Sequence, residues 1–402
     1  MKPDTLIIVV GAGIAGPTLG MALQQAGFQP TLYESSAETA EGIGAFLTLS
    51  TNGIQALRVI RADLPVLKRG FATPELTLRS HTGKFLGKTS TGTPLPDGTS
   101  SHTLKRADLY EALYQEALRR GVRFVHGKHL VDATETPEGV TAHFSDGSTA
   151  TGDLLIGSDG VHSVLRSVID LHAPRPTYSG LLTTGGYVQN VKVDVPVGSY
   201  EMIYGQKGFF GYAPAPNGEV WWFANVPWPR EPARGEVECL GSEHWKQHLL
   251  QLHAKDQGPI LDVLHHTDHL MTMKAIHMLP HLPHWQKGRM LVIGDAAHAP
   301  SPSSGQGAAL AIEDAVVLAQ CLRDAETAEQ AFALFEKTRR QRIERIIRWA
   351  ARINNSKAAG PLGSWFRDLL MPTAMKWLEK SDSQRFIFDH QIHWDTRMNP
   401  TV

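Results

Sequence analysis

Leu6-Ile-Ile-Val-Val-Gly11-Ala-Gly13-Ile-Ala15-Gly16-Pro17 sets an apolar, largely β-branched run directly against closely spaced glycines. Such a run predicts a fully buried strand, bounded at once by a turn. Pro17 to Ala26 reads as the following helix, Gly27 stops it, and Gln29 to Glu34 supplies a second strand. Strand, helix and strand within about 30 residues form a parallel nucleotide-binding unit. The three glycines divide the work between them. Gly11 permits the tight turn, Gly13 admits a pyrophosphate, and Gly16 lets helix and strand pack closely. The helix start around Ala15 and Gly16 faces the phosphate charge, and Glu34 stands where a ribose-binding acid is expected. The motif alone does not separate FAD from NAD.

Two later stretches repeat the pattern of a buried strand that ends in an aspartate. The first is Asp153-Leu-Leu-Ile-Gly157-Ser-Asp159-Gly160-Val-His-Ser163-Val-Leu-Arg166. The second is Met290-Leu-Val-Ile-Gly294-Asp295-Ala-Ala-His298, followed by Pro302-Ser-Ser-Gly305-Gln-Gly307 and a helix expected from Gly305 to Leu322. Ligands of open α/β sheets bind at the carboxyl ends of such strands. Gly305 and Gly307 would let backbone N–H groups approach a planar ring, and the helix start would stabilise negative charge on it.

These three motifs, in this order and over nearly the whole chain, resemble the class A flavin-dependent monooxygenases, the family of para-hydroxybenzoate and salicylate hydroxylases. The resemblance implies FAD as cofactor, NADPH or NADH as reductant, dioxygen as co-substrate and a small aromatic or polycyclic substrate. It places Asp295 on the ribityl chain, Pro302 to Gly307 against the flavin ring, and Asp159 in a motif serving both FAD and the nicotinamide cofactor. Arg106 matches an arginine that contacts the flavin, and Gly42 and Gly44 match a flavin-side loop. The reaction implied is flavin reduction, addition of dioxygen, and hydroxylation of substrate in a site that excludes water. Many relatives carry Asn where this chain has Ala309, and His298 belongs to a block in which it is structural.

Working outward, helix and strand signals recur at Ala107 to Arg120, Val122 to Val125 and the hairpin around Asp146-Gly147. Between Ala173 and Pro283 the rhythm changes to short aromatic, alternating segments, the pattern of a separate antiparallel sheet. The expected class is α/β. A discontinuous Rossmann-like FAD-binding domain (1–70, 101–172 and 285–350) carries an inserted β-sheet substrate domain (71–100 and 173–284), and a helical segment (351–402) follows. Tyr204 to Pro214 and Val220 to Phe223 read as paired strands, with Phe210, Tyr212 and Trp222 as pocket candidates and Tyr212 as the residue orienting substrate. No catalytic base stands out. The arginines at 339, 340, 342, 345 and 348 read as a solvated helix face.

Composition narrows the partners. Among 402 residues, 39 Lys and Arg balance 40 Asp and Glu, so no global field draws nucleic acid or an anionic membrane. Cys239 and Cys321 have neither disulfide density nor metal spacing, which fits a reducing, cytoplasmic compartment. The N-terminal apolar run is too short for a membrane span. Monomer and homodimer stay equally open. Epoxidation, Baeyer–Villiger insertion and oxidative decarboxylation would use the same motifs, and a non-catalytic flavin sensor would share the binding residues. A halogenase would carry Trp-x-Trp-x-Ile-Pro, which Trp221-Trp222 does not reproduce.

Overall fold

The computed structural model describes residues 1–37, 44–355, 368–375 and 384–399. Gly42 and much of the segment after 350 lie outside them. A six-stranded sheet runs in the order Gln286–Lys287, Met290–Val292, Leu154–Gly157, Ile7–Val10, Thr31–Tyr33, Arg123–Val125. All neighbours are parallel except the first pair. Ile7–Val10 and Leu154–Gly157 are buried at every position, packed between helices and the three-stranded antiparallel sheet Leu130–Glu135, Val140–Phe144, Thr149–Gly152. The helix Ala15–Gln25 packs closely through its small residues: an ideal Cβ on Gly20 would stand 2.9 Å from Val122 Cγ1. Behind it lies the alanine-rich helix Gly307–Asp324, buried from Ala309 to Leu322.

A second, seven-stranded sheet runs Lys274–Met278, Thr177–Val188, Val220–Pro227, Phe209–Pro214, Ser199–Tyr204, Glu75–Ser80, Phe85–Ser90. Its pairs are antiparallel except that of Ser199–Tyr204 with Glu75–Ser80. Register sorts its side chains. Tyr212 pairs with Trp222 and Phe210 with Ala224 on one face, while Gly211 pairs with Phe223 and Ala213 with Trp221 on the other. The first face is sealed by the segment 236–265, whose Val237, Trp245, Leu249, Val263 and Leu264 join Phe210, Tyr212 and Trp222 in one core. The other face looks toward the small sheet Phe46–Leu49, His102–Lys105, Phe71–Ala72 and toward Met371 and Met375.

The arginine run corrects the expectation of a solvated face. Arg339 is fully buried, with Nε donating to Asp314 Oδ1 at 2.8 Å and Nη1 2.7 Å from Glu313 Oε2. Arg342 holds Glu313 and the carbonyl of Ile387, both at 2.8 Å through Nη2. Arg340 lies over Trp285 and Arg345 over Phe386. Of these, Arg345 and Arg348 are exposed, Arg348 at 67% of its side chain. The long helix from Ala328 therefore turns Arg339 and Arg342 inward, onto consecutive carboxylates that local periodicity does not reveal.

Candidate active site

The three glycine- and aspartate-bearing motifs meet because their strands are neighbours. Val10 pairs with Gly157, and Gly157 with Val292, so all three chains leave the sheet at one edge. Side chains stitch the turns together. Ser158 Oγ donates to the carbonyls of Val10 and Gly11 at 2.9 and 2.6 Å, and Arg166 Nη1 donates to that of Ala296 at 3.0 Å.

The first turn is a cradle with a hole in it. A Cβ on Gly11, whose φ is +92°, would lie 2.4 Å from Ser158 O, and one on Gly16 would lie 2.1 Å from Gly11 O. Those two glycines are required by the protein itself. Gly13 differs: nothing stands within 4 Å of its ideal Cβ, so the space in front of it is open. Ala15 packs its side chain beside Gly294. Glu34 accepts from Ala12 N at 2.6 Å and from Ser36 N at 2.8 Å, which fixes its carboxylate at the loop.

Asp159 stands at the sheet edge, but Oδ2 turns inward and accepts from Val164 N at 2.9 Å and Leu165 N at 3.3 Å. It caps the short helix Val164–Ile169. Oδ1 is buried with no hydrogen-bond partner among the described residues. Burial pushes this carboxyl's pKa up, against the pull of Ser163 and the amides it accepts from.

At the third turn, Asp295 Oδ1 lies 4.0 Å from the ideal Cβ of Gly307, the first residue of the buried helix. Dehydration pushes the Asp295 carboxyl up, and Arg106 and then His298 draw it back. Arg106 thus lies near enough for its charge to act on Asp295. Its side chain also lies against Gly44, whose ideal Cβ would sit 3.2 Å from Arg106 Cδ. Pro302 is exposed, and Gly305, at φ +61°, has nothing within 4 Å of its ideal Cβ. His298 is 2% exposed and shares a proton with Asp314 over 2.6 Å. It braces the helix and does not reach the cleft. Ala309 packs against Gly53, where an added Cβ would come within 2.9 Å of the Ala309 Cβ, so Gly53 has no room for a side chain.

These residues fit an adenine dinucleotide carrying a flavin. Two helix N-termini and the open backbone at Gly13 and Gly305 suit phosphate and a flat ring, Glu34 suits ribose, and Arg106 with Asp295 suits polar groups between them. The family model for the FAD binding domain matches residues 4–350. The chain belongs to the FAD binding domain family. Within this family it is similar to the aurachin C monooxygenase/isomerase of Stigmatella aurantiaca, 29% identical over 367 residues that cover 91% of each chain. It is also similar to the FAD-dependent urate hydroxylase of Klebsiella pneumoniae, 28% identical over 369 residues, 90% of this chain and 94% of that one. The solved structure of Klebsiella pneumoniae HpxO complexed with FAD and uric acid superposes with a TM-score of 0.79 at 25% identity, covering 95% of both chains.

The pocket residues expected from the sequence of this FAD binding domain protein need correction. Phe210, Tyr212 and Trp222 sit on the helix-covered face of the large sheet, at 0%, 2% and 0% exposure. Tyr212 hydroxyl is committed to Glu201 Oε2 at 2.6 Å, and Trp222 Nε1 to Thr267 at 3.0 Å. The face toward Gly44 carries Trp221, Phe223, Tyr187 and Tyr200, with Phe46 packed among them. Tyr187 donates to Ala45 O at 3.0 Å, and Gly185 must be glycine because Ala45 Cβ lies 2.7 Å from where its own would be. Alternation in the sequence separates Trp221 and Phe223 from Trp222, but it does not say which set looks at the cleft. Among the described residues, no cluster of His, Cys, Asp or Glu could hold a metal, and no helix is long and apolar enough to cross a membrane.

Proposed function

We propose that this protein binds FAD along the shared strand edge and, with NADPH or NADH as reductant, inserts one atom of dioxygen into an uncharged aromatic or polycyclic substrate. The observation that carries the reading is that the strands leading to Gly13 and Asp295 end at one sheet edge, with open space at the Cβ positions of Gly13 and Gly305. Residues 1–70, 101–172 and 285–350 serve the cofactor in this scheme, and 71–100 with 173–284 serve the substrate.

When bound, FAD supplies hydride acceptance and activation of dioxygen. The protein supplies position and dryness. Gly11, Gly13 and Gly16 bring backbone N–H groups to the pyrophosphate, and Glu34 accepts from ribose hydroxyls. Arg106 and Asp295 hold the chain between phosphate and ring, while Pro302, Gly305 and Gly307 aim a helix N-terminus at the ring's polar edge. Asp159 holds the second turn in shape. Phe46, Tyr187, Trp221 and Phe223 wall the space above, so a flat apolar substrate would be gripped by ring contacts and water kept out. Lys105 does not offer a free charge there, since it is 3.1 Å from Glu219 and lies over the Tyr187 ring. Hydroxylation by this reading depends on positioning more than on a protein base. A cytoplasmic setting, where NAD(P)H is available, fits the chemistry.

Purified protein should be yellow, oxidise NAD(P)H faster with a cognate aromatic compound, and place one atom of labelled dioxygen in the product by mass spectrometry. Flavin binding with no stimulated turnover across an aromatic panel would make it a sensor instead.

A further inference from the structure

Tyr200 lies on the aromatic face of the large sheet that also carries Tyr187, Trp221 and Phe223. It lies in the strand Ser199–Tyr204, and register places it on the same side as Met202 and Phe223, opposite Tyr212 and Trp222. Its ring packs 5.6 Å from Phe46 and 6.3 Å from Phe223, centroid to centroid. Only 7% of the residue is exposed. Among the described residues, its hydroxyl makes no hydrogen bond.

The hydroxyl is not among the buried polar atoms that lack a partner, so it reaches accessible space at the edge of an otherwise buried ring, where solvent or a ligand can meet it. Three other tyrosines of this sheet commit their hydroxyls inside the protein: Tyr212 to Glu201, Tyr187 to Ala45, Tyr178 to Trp228 O. The residues in front of Tyr200 are not closed over: Phe46, Met202 and Phe223 all keep partial exposure on that side. Burial raises the phenol's pKa, so it stays a neutral donor wherever the enzyme works.

We propose that Tyr200 is a substrate-orienting residue, donating its hydroxyl to an oxygen substituent, a ring hydroxyl or carbonyl, on an otherwise apolar aromatic substrate. The inference rests on the monooxygenase reading above and deepens it. Phe46 and Phe223 hold the rings by contact alone, which permits sliding and rotation. One O–H pointing into such a site fixes which edge of the substrate faces the flavin. It also selects against the analogue that lacks the oxygen, since the donor is then left unmet.

The test uses the oxidised, FAD-loaded enzyme and a matched pair of probes, 2-naphthol and 2-methylnaphthalene, titrated by the perturbation of flavin absorbance. The quantity read is the ratio of the two dissociation constants. In Tyr200→Phe, the preference for naphthol over methylnaphthalene should fall about tenfold, with methylnaphthalene affinity within about twofold of wild type. FAD content and thermal midpoint should be unchanged. A merely structural tyrosine would shift both probes together or neither, and either result overturns the proposal. Wild-type protein that retains no FAD, or whose flavin responds to neither probe, overturns the parent reading and this inference with it.

Discussion

Tyr187 donates its hydroxyl to the carbonyl of Ala45 across 142 residues of sequence and 3.0 Å of space. The same carbonyl accepts from Arg106 N at 3.0 Å. One oxygen therefore ties the large sheet, the Gly44 turn and the helix that carries Arg106 into a single joint. Lys105, 4.1 Å above the Tyr187 ring, loads that joint from the other side.

Tyr187→Phe keeps the ring and loses the donor. The expected cost is about 1 kcal/mol of stability, the usual worth of one such bond. FAD should stay bound, but the turn should sit less firmly on the sheet. Hydrogen peroxide formed per NAD(P)H consumed should then rise several-fold, as measured by coupled peroxide assay; an unchanged ratio would remove the joint from the mechanism.

Gly13 separates folding from binding. Its φ is not positive and its Cβ position is empty, so Gly13→Val should leave the thermal midpoint of FAD-free protein nearly intact. The added isopropyl group would fill the space for pyrophosphate, and flavin absorbance should vanish from purified protein. Gly11→Ala should fail earlier, with little folded protein, because its Cβ collides with Ser158 O at 2.4 Å.

Asp295→Ala should weaken FAD binding by tenfold or more, corresponding to about 1.5–3 kcal/mol for a hydrogen bond to a charged group. The FAD-free protein should respond oppositely. Burial raises this carboxyl's pKa in the fold, so the ionised form costs stability above that value, and the cost disappears as pH falls through it. The variant should thus melt higher than wild type at pH 7 and lose that advantage in acid, by scanning fluorimetry across pH.

The two faces of the large sheet should part company under mutation. Tyr212→Phe removes the bond to Glu201 and should cost about 1–3 kcal/mol of stability with KM unchanged, since it leaves a buried acceptor unmet. Phe223→Ala, on the cleft side, should raise KM about tenfold or more, in line with about 1.5–3 kcal/mol for burying such a ring. Denaturant titration beside steady-state kinetics checks both, and a kinetic defect confined to Tyr212→Phe would reverse the assignment of faces.

Arg339→Met should cost about 3–5 kcal/mol, because it strands two buried carboxylates. Burial opposes ionisation of Glu313 and Asp314, but the cations around them, Arg339 with Arg342 or His298, hold both below the usual carboxylate range. Stability from this pairing is present above the unfolded carboxylate pKa and lost as pH falls through the folded one. The variant's deficit against wild type should therefore be larger at pH 7 than at pH 4, where protonation relieves its carboxylates, which urea titrations at the two pH values would show.

The nucleotide-binding unit was legible in the chain because its signals are local. A β-branched run, glycines where the backbone has no room for Cβ, and an acid at the end of the next strand all lie within one stretch of about 30 residues. Asp159 and Asp295 could be placed at strand ends for the same reason. Their different fates, one turned into a helix cap and one left facing Arg106, depend on neighbours contributed by other segments.

Sequence alone thus established the parallel unit and the strand-tip aspartates, since each follows from what a few consecutive residues can and cannot adopt, while the flavin class of the site was implied by the resemblance of the three motifs. Packing decided the rest: which face of an alternating aromatic strand is sealed by helices, and which members of an arginine run meet water and which meet buried carboxylates. A two-residue period divides side chains into two sets, but only the helices at 236–265 and the sheet around Phe46 determine which set is sealed and which stays open.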